Sequence, residues 1–178
     1  MSKMIEVEID SVRVSLTNQQ RIVILKEIDQ DRYLPIWIGL YEAEAITIAL
    51  QDIQVARPQT HDLLKTLIVS LNARLIQVEV KSLSEDVFFG NLVLEINGDL
   101  QNVDCRPSDA LALAARMNVP IMVSEEVLEQ AGIIPEEDTT LSENEASDAA
   151  FEDSNLDIFE NFLKNYDEGE DDLESDDD

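Results

Sequence analysis

The sequence predicts an α+β domain with a mostly antiparallel sheet, helices packed on it, and an acidic tail expected to be disordered. Two patterns predict the domain: period-two alternation fills residues 4–38 and 74–105, and helical spacing fills 41–53, 60–71 and 107–117. The third observation is charge. Of the net −27, residues 136–178 supply two thirds, with 19 acids against Lys164 alone.

Residues 4–16, MIEVEIDSVRVSL, put Ile5, Val7 and Ile9 on one side, then Val12 and Val14 after a shift, which predicts a strand with a bulge near Asp10-Ser11. TNQQ turns into RIVILKEI, a second strand of a hairpin. YLPIWIG is a third, and Pro35 places it at an edge or a strand start. In YEAEAITIALQDI, Ala45, Ile46, Ala49, Leu50 and Ile53 share one helical stripe. The next helix, from Thr60 to Leu71, is expected to bury Leu63, Leu64, Leu67, Ile68 and Leu71. RLIQVEVKSLS and VFFGNLVLEING return to strand, and Asn97-Gly98 is a hairpin turn leading into LQNVDC. Pro107 suits the first turn of a third helix, PSDALALAARM. VPIMVS is a short buried strand, and EEVLEQAG a helix ending at Gly132. The domain therefore spans 1–135, followed by an acidic linker at 136–154. A short helix at 155–166 carries Leu156, Phe159, Phe162 and Leu163, and an acidic tail at 167–178 has too little apolar surface to fold.

Composition removes several function classes. No stretch approaches the roughly 18 continuous apolar residues of a membrane span, and MSKMIEVEID lacks the apolar core of a signal peptide. Cys105 is the one cysteine, so no internal disulfide or cysteine zinc cluster is expected, and the setting reads as cytoplasmic. Phosphate-cradling GxxxxGK[ST], GxGxxG, the GxSxG elbow and HExxH are all missing. Residues 1–135 carry 20 acids against 11 bases, so the body shows no basic face for nucleic acid. A polyanionic ligand would need bound cations or local arginines to offset the repulsion.

The polar residues that remain gather at helix starts. Glu42 and Glu44 occupy a first helical turn, where carboxylates favour the helix dipole. A carboxylate facing a pocket there could also act as a base or ligate a hard cation. In RPQTHDLL, Thr60 is the expected N-cap and Asp62 complements the dipole. His61, the only histidine, sits where the positive end of the dipole disfavours imidazolium and keeps the ring able to accept a proton or bind metal. Arg57 could pair with Asp62 or another carboxylate. In DCRPSDALALAAR, Asp104 ends a strand, and Ser108 and Asp109 fill a first helical turn. Free N–H groups gather there, and Arg106 could hold a phosphate in fork geometry. An Asp/Ser-capped helix with an Arg–Asp pair explains the same residues without a ligand.

LPIWIG with EAEAI, RPQTHDLL, and DCRPSDALALAAR with PIMVSEEVLEQAG, in this order and spacing over about residues 4–132, resemble the bifunctional nuclease domain family. LDIFENFLKNY resembles the short C-terminal helix of its bacterial members. The resemblance implies an α+β fold and cleavage of both DNA and RNA. The chemistry of phosphodiester cleavage, rather than the resemblance, makes His61, Asp62 and Glu42 the expected catalytic residues, and Arg57, Arg106 and Ser108 the phosphate-binding ones. Asp104 and Asp109, with Asp62 as a further candidate, are expected to hold Mg2+ or Mn2+. The alternative is a non-catalytic regulatory or binding protein using the same polar cleft for an anionic ligand or a protein partner. A further possibility is that the acidic tail mimics nucleic acid. Exposed apolar positions on the first strands make a homo-oligomer an additional expectation.

Overall fold

The computed structural model describes residues 3–15 and 20–135. The linker, short helix and tail expected beyond 135 lie outside the described residues.

β1 (Met4–Val14), β2 (Arg21–Glu27) and β3 (Tyr33–Ile38) form an antiparallel meander. The expected irregularity in β1 is present: its pairing with β2 shifts register between Ile9 and Ser11. β4 (Ala73–Ser84), β5 (Val87–Ile96) and β6 (Asp99–Cys105) form a second meander. Asn97 at φ 55° and Gly98 at φ 90° make the tight turn between β5 and β6, two left-handed residues in succession. β7 (Ile121–Ser124) lies between the meanders, antiparallel to β1 and parallel to β4, giving one seven-stranded sheet of order β3-β2-β1-β7-β4-β5-β6. β3 is an edge strand, as Pro35 predicts.

α1 (Leu40–Leu50), α2 (Thr60–Ser70), α3 (Pro107–Met117) and α4 (Glu125–Ala131) complete the fold. α3 is its apolar axis, with Ala110, Leu111, Ala112, Leu113 and Ala114 all buried among Val23, Leu25, Ile46, Val78 and Val123. α3 ends at Asn118 in the left-handed conformation, a stop that asparagine tolerates. Among the described residues, no helix is long and apolar enough to cross a membrane.

Two expectations about helix faces need correction. α1 buries Ala43, Ala45 and Ile46, but it ends at Leu50, so Leu50 and Ile53 fall at and beyond its last turn and stay exposed. On α2 the difference is larger. Leu63, Leu64, Leu67 and Leu71 are exposed, and the one buried residue of the helix is His61. Ile68, two turns on from His61, packs against the core. Polar ties at the first turn, described next, set the rotation of α2 and turn its leucine stripe outward.

Candidate active site

Three helix starts converge. Glu42 is the third residue of α1, His61 the second of α2, Asp109 the third of α3, and Arg106 the N-cap of α3. His61 Nε2 lies 3.1 Å from Asp109 Oδ1. Arg106 donates through Nε to Asp109 Oδ2 at 2.8 Å, through Nη2 to Asp109 Oδ1 at 3.1 Å, and through Nη1 to Glu42 Oε1 at 2.7 Å. These residues, with Tyr41 and Glu44, line a cavity of about 420 Å³. A second cavity of about 670 Å³ is lined by Asp62 and Arg116 but by none of His61, Arg106 and Asp109.

The backbone of β5 makes room for this corner. A Cβ on Gly90 would lie 2.8 Å from the Cys105 carbonyl oxygen, 2.9 Å from the Pro107 nitrogen and 3.0 Å from the Arg106 carbonyl carbon. Any side chain there would push the start of α3, and Arg106 with it, off the sheet. Pro107 follows at the first helical position, where its missing N–H costs nothing.

The entry to α2 differs from expectation. The N-cap is Gln59, not Thr60, and a capping box closes it: the Gln59 side chain accepts from the backbone of Asp62, and the Asp62 carboxylate accepts from the Gln59 N–H at 2.8 Å. The other Asp62 oxygen takes Arg116 Nε at 2.8 Å, while Arg116 Nη1 donates to the carbonyls of Ala45 and Ala112. Arg116, with its side chain 5% exposed, thereby ties α2 to α1 and α3. Both oxygens of Asp62 are engaged, so this carboxylate anchors the turn that carries His61.

Electrostatics follow from these contacts. Burial raises the Asp109 carboxyl, but hydrogen bonds from Arg106 and His61 outweigh it and hold the group below its ordinary value. Asp62 is likewise held down, first by the Gln59 N–H and then, against its desolvation, by Arg116. Arg106 is fixed in its charged form, chiefly by Asp109 and then by Glu42. Burial, followed by the charges of Asp109 and Asp104, pushes the Cys105 thiol up to about 11, so it is no thiolate nucleophile near neutral pH.

With Asp109 ionised, its oxygen accepts the Nε2–H, leaving Nδ1 as the basic nitrogen of His61. Nδ1 makes no hydrogen bond among the described residues, and His61, though only 7% exposed, lines the cavity. Arg106 spends three N–H groups on carboxylates, and a guanidinium carries five. Its side chain is 64% exposed, so the remaining donors are open to a ligand.

The structure thus brings Glu42, His61, Arg106 and Asp109 together, and leaves other candidates apart. Asp104, on β6, and Arg57, before α2, are exposed and do not line the cavity. Ser108, the second residue of α3, is buried. Asp104 and Asp109 do not fit a divalent ion as they stand. Both Asp109 oxygens are committed to His61 and Arg106, and among the described residues no three His, Cys, Asp or Glu side chains cluster as a metal site. Tyr41 and Gln59 were not foreseen. Gln59 carries no cap signal in sequence, because Gln-x-x-Asp departs from the Ser/Thr-x-x-Glu/Gln pattern of a capping box.

Residues 23–136 match the family model described as bifunctional nuclease domain. The chain belongs to this family. An uncharacterized protein of Mycobacterium tuberculosis is 42% identical over 159 residues, which cover 89% of this chain and 92% of that protein. Bifunctional nuclease 2 of Arabidopsis thaliana is 29% identical over 58% of this chain and 32% of its own length. Bifunctional nuclease 1 of Oryza sativa subsp. japonica is 27% identical over 76% of this chain and 42% of its own length. The chain therefore spans under half the length of these plant relatives.

Proposed function

We propose that the chain is a nuclease that hydrolyses phosphodiester bonds of DNA and RNA at the cavity shared by His61, Asp109 and Arg106. The observation that carries this is the His61–Asp109 contact at 3.1 Å, which engages one ring nitrogen and leaves the other uncommitted in a cavity shared with an exposed guanidinium. His61 Nδ1 takes a proton from water, the water oxygen forms the new bond to phosphorus, and the bond to the leaving oxygen breaks. That oxygen leaves with a proton from the imidazolium or from solvent. The remaining Arg106 N–H groups donate to the non-bridging oxygens as charge builds on them. Glu42 and Asp109 hold the guanidinium in place. No step is assigned to a metal ion, and whether Mg2+ or Mn2+ is required is read from the assay.

Single- and double-stranded DNA and RNA, incubated with the full chain in EDTA, Mg2+ or Mn2+, test the reading beside His61→Ala. Cleavage by the wild type and a loss on the order of 100-fold or more in the variant are expected. Equal cleavage by the variant assigns the chemistry elsewhere. A second reading, binding of a protein partner without cleavage, is favoured by the lining itself, where Glu42, Glu44 and Asp109 outnumber Arg106 and repel a polyanion. Intact substrate under every condition selects it.

A further inference from the structure

Tyr41, the second residue of α1, is 79% exposed and lines the same cavity as His61 and Arg106. Among the described residues it makes no hydrogen bond or ring contact. Its ring is therefore an unused aromatic face at the mouth of the site. Charge does not favour a nucleic-acid backbone there, since one guanidinium faces three carboxylates inside a body with 20 acids and 11 bases. A duplex brings one phosphate charge per about 1.7 Å of its length, and tracking it requires a basic groove. A flexible strand can present one phosphate and withdraw the rest. The affinity missing from charge must then come from an uncharged contact, and base–aromatic stacking is the contact an exposed tyrosine supplies.

We propose that Tyr41 is a stacking platform for the base beside the phosphate held by Arg106, so that the cavity selects unpaired nucleotides in single-stranded nucleic acid. The proposal rests on the nuclease reading for the phosphate's position, but its test reads binding rather than cleavage.

The probes are fluorescein-labelled strands of about 12 nucleotides: a deoxythymidine strand, an abasic strand of equal charge, and a hairpin duplex. Anisotropy is measured in EDTA on ice, with strands checked intact by gel. The full chain is expected to bind the thymidine strand at least about tenfold more tightly than the other two. Its dependence on salt should be shallow, near the −0.7 per contacted phosphate of a single strand. Tyr41→Ala is expected to lose about 5- to 100-fold for the thymidine strand and to treat it like the abasic one, while Tyr41→Phe keeps the preference. An unchanged melting temperature confirms that both variants fold.

Equal binding of thymidine and abasic strands, equal binding of the duplex, an unaffected Tyr41→Ala variant, or no binding of any strand each overturns the proposal. Base-dependent binding lost in Tyr41→Ala, without cleavage under any metal condition, upholds the platform and removes the nuclease reading. Cleavage with no Tyr41 dependence does the reverse.

Discussion

The two ends of α3 each carry an arginine that grips carboxylates, yet the two corners differ in kind. Arg116 is buried, bonded to Asp62 of α2 and to backbone carbonyls of α1 and α3. Arg106 is 64% exposed, bonded to Asp109 and Glu42, and keeps N–H groups free toward a cavity. The same chemistry is architecture at one end and an open donor set at the other. Solvent access separates them: a buried pair leaves a stranded charge when one partner is removed, whereas an exposed pair is screened and adds little to stability.

The contrast predicts effects of graded size. Arg116→Ala should be the most damaging to folding, about 3 kcal/mol or more in urea denaturation. Arg116→Lys should recover little, because an ammonium cannot serve Asp62 and two carbonyls in one fork. Arg106→Gln should reverse the pattern, with stability within about 1 kcal/mol of wild type and kcat/KM down on the order of 100-fold. A large fall in its melting temperature would erase the distinction between the corners.

Asp109→Asn should lower kcat/KM by about 10- to 100-fold through misorientation of His61, visible as a change in the pH–rate profile. The same variant has a stability signature. The folded Asp109 carboxyl holds its proton less tightly than in the unfolded chain, so the unfolded state binds more protons as pH falls. The stabilisation from Asp109 and Asp62 is thus fully present above the ordinary carboxylate range near pH 4 and drains away below it. Denaturation followed from pH 6 downward should show a shallower loss in Asp109→Asn. The smallest effect is expected from Arg57→Ala. This exposed residue lies outside the cavity, so kcat/KM should change by no more than about twofold at physiological salt. A large loss would extend the phosphate site beyond the cavity.

Most of the fold is legible in the sequence because hydrophobic period and turn chemistry are local. Alternation marks the strands, Asn97-Gly98 marks a hairpin, and Pro107 marks a helix start. The site is legible in part: the Arg106, Asp109 and His61 motifs bring polar first turns, and these do meet. Orientation across elements is what local pattern lacks. The leucine stripe of α2 predicts burial, yet Asp62 and His61 are bonded to α3 at the first turn and rotate those leucines outward. Asp104 belongs to the same motif as Arg106 but stays on an exposed strand outside the cavity. Arg116 reads as the end of an alanine-rich helix, and only the packing of three helices reveals its task.

The place of β7 has a consequence for when the protein becomes competent. Glu42 follows the first meander, whereas His61, Arg106 and Asp109 flank or follow the second, and all of them precede β7 in the chain. Each meander pairs strands that are neighbours in sequence, but β7 alone bonds to both, through β1 on one side and β4 on the other. A chain emerging from the ribosome thus carries every candidate side chain before it possesses the strand that fastens the two halves together. The long-range pairing is the slow kind to form. Completion of the cavity is thereby tied to completion of the sheet, a built-in delay between making the candidate residues and assembling the site they share.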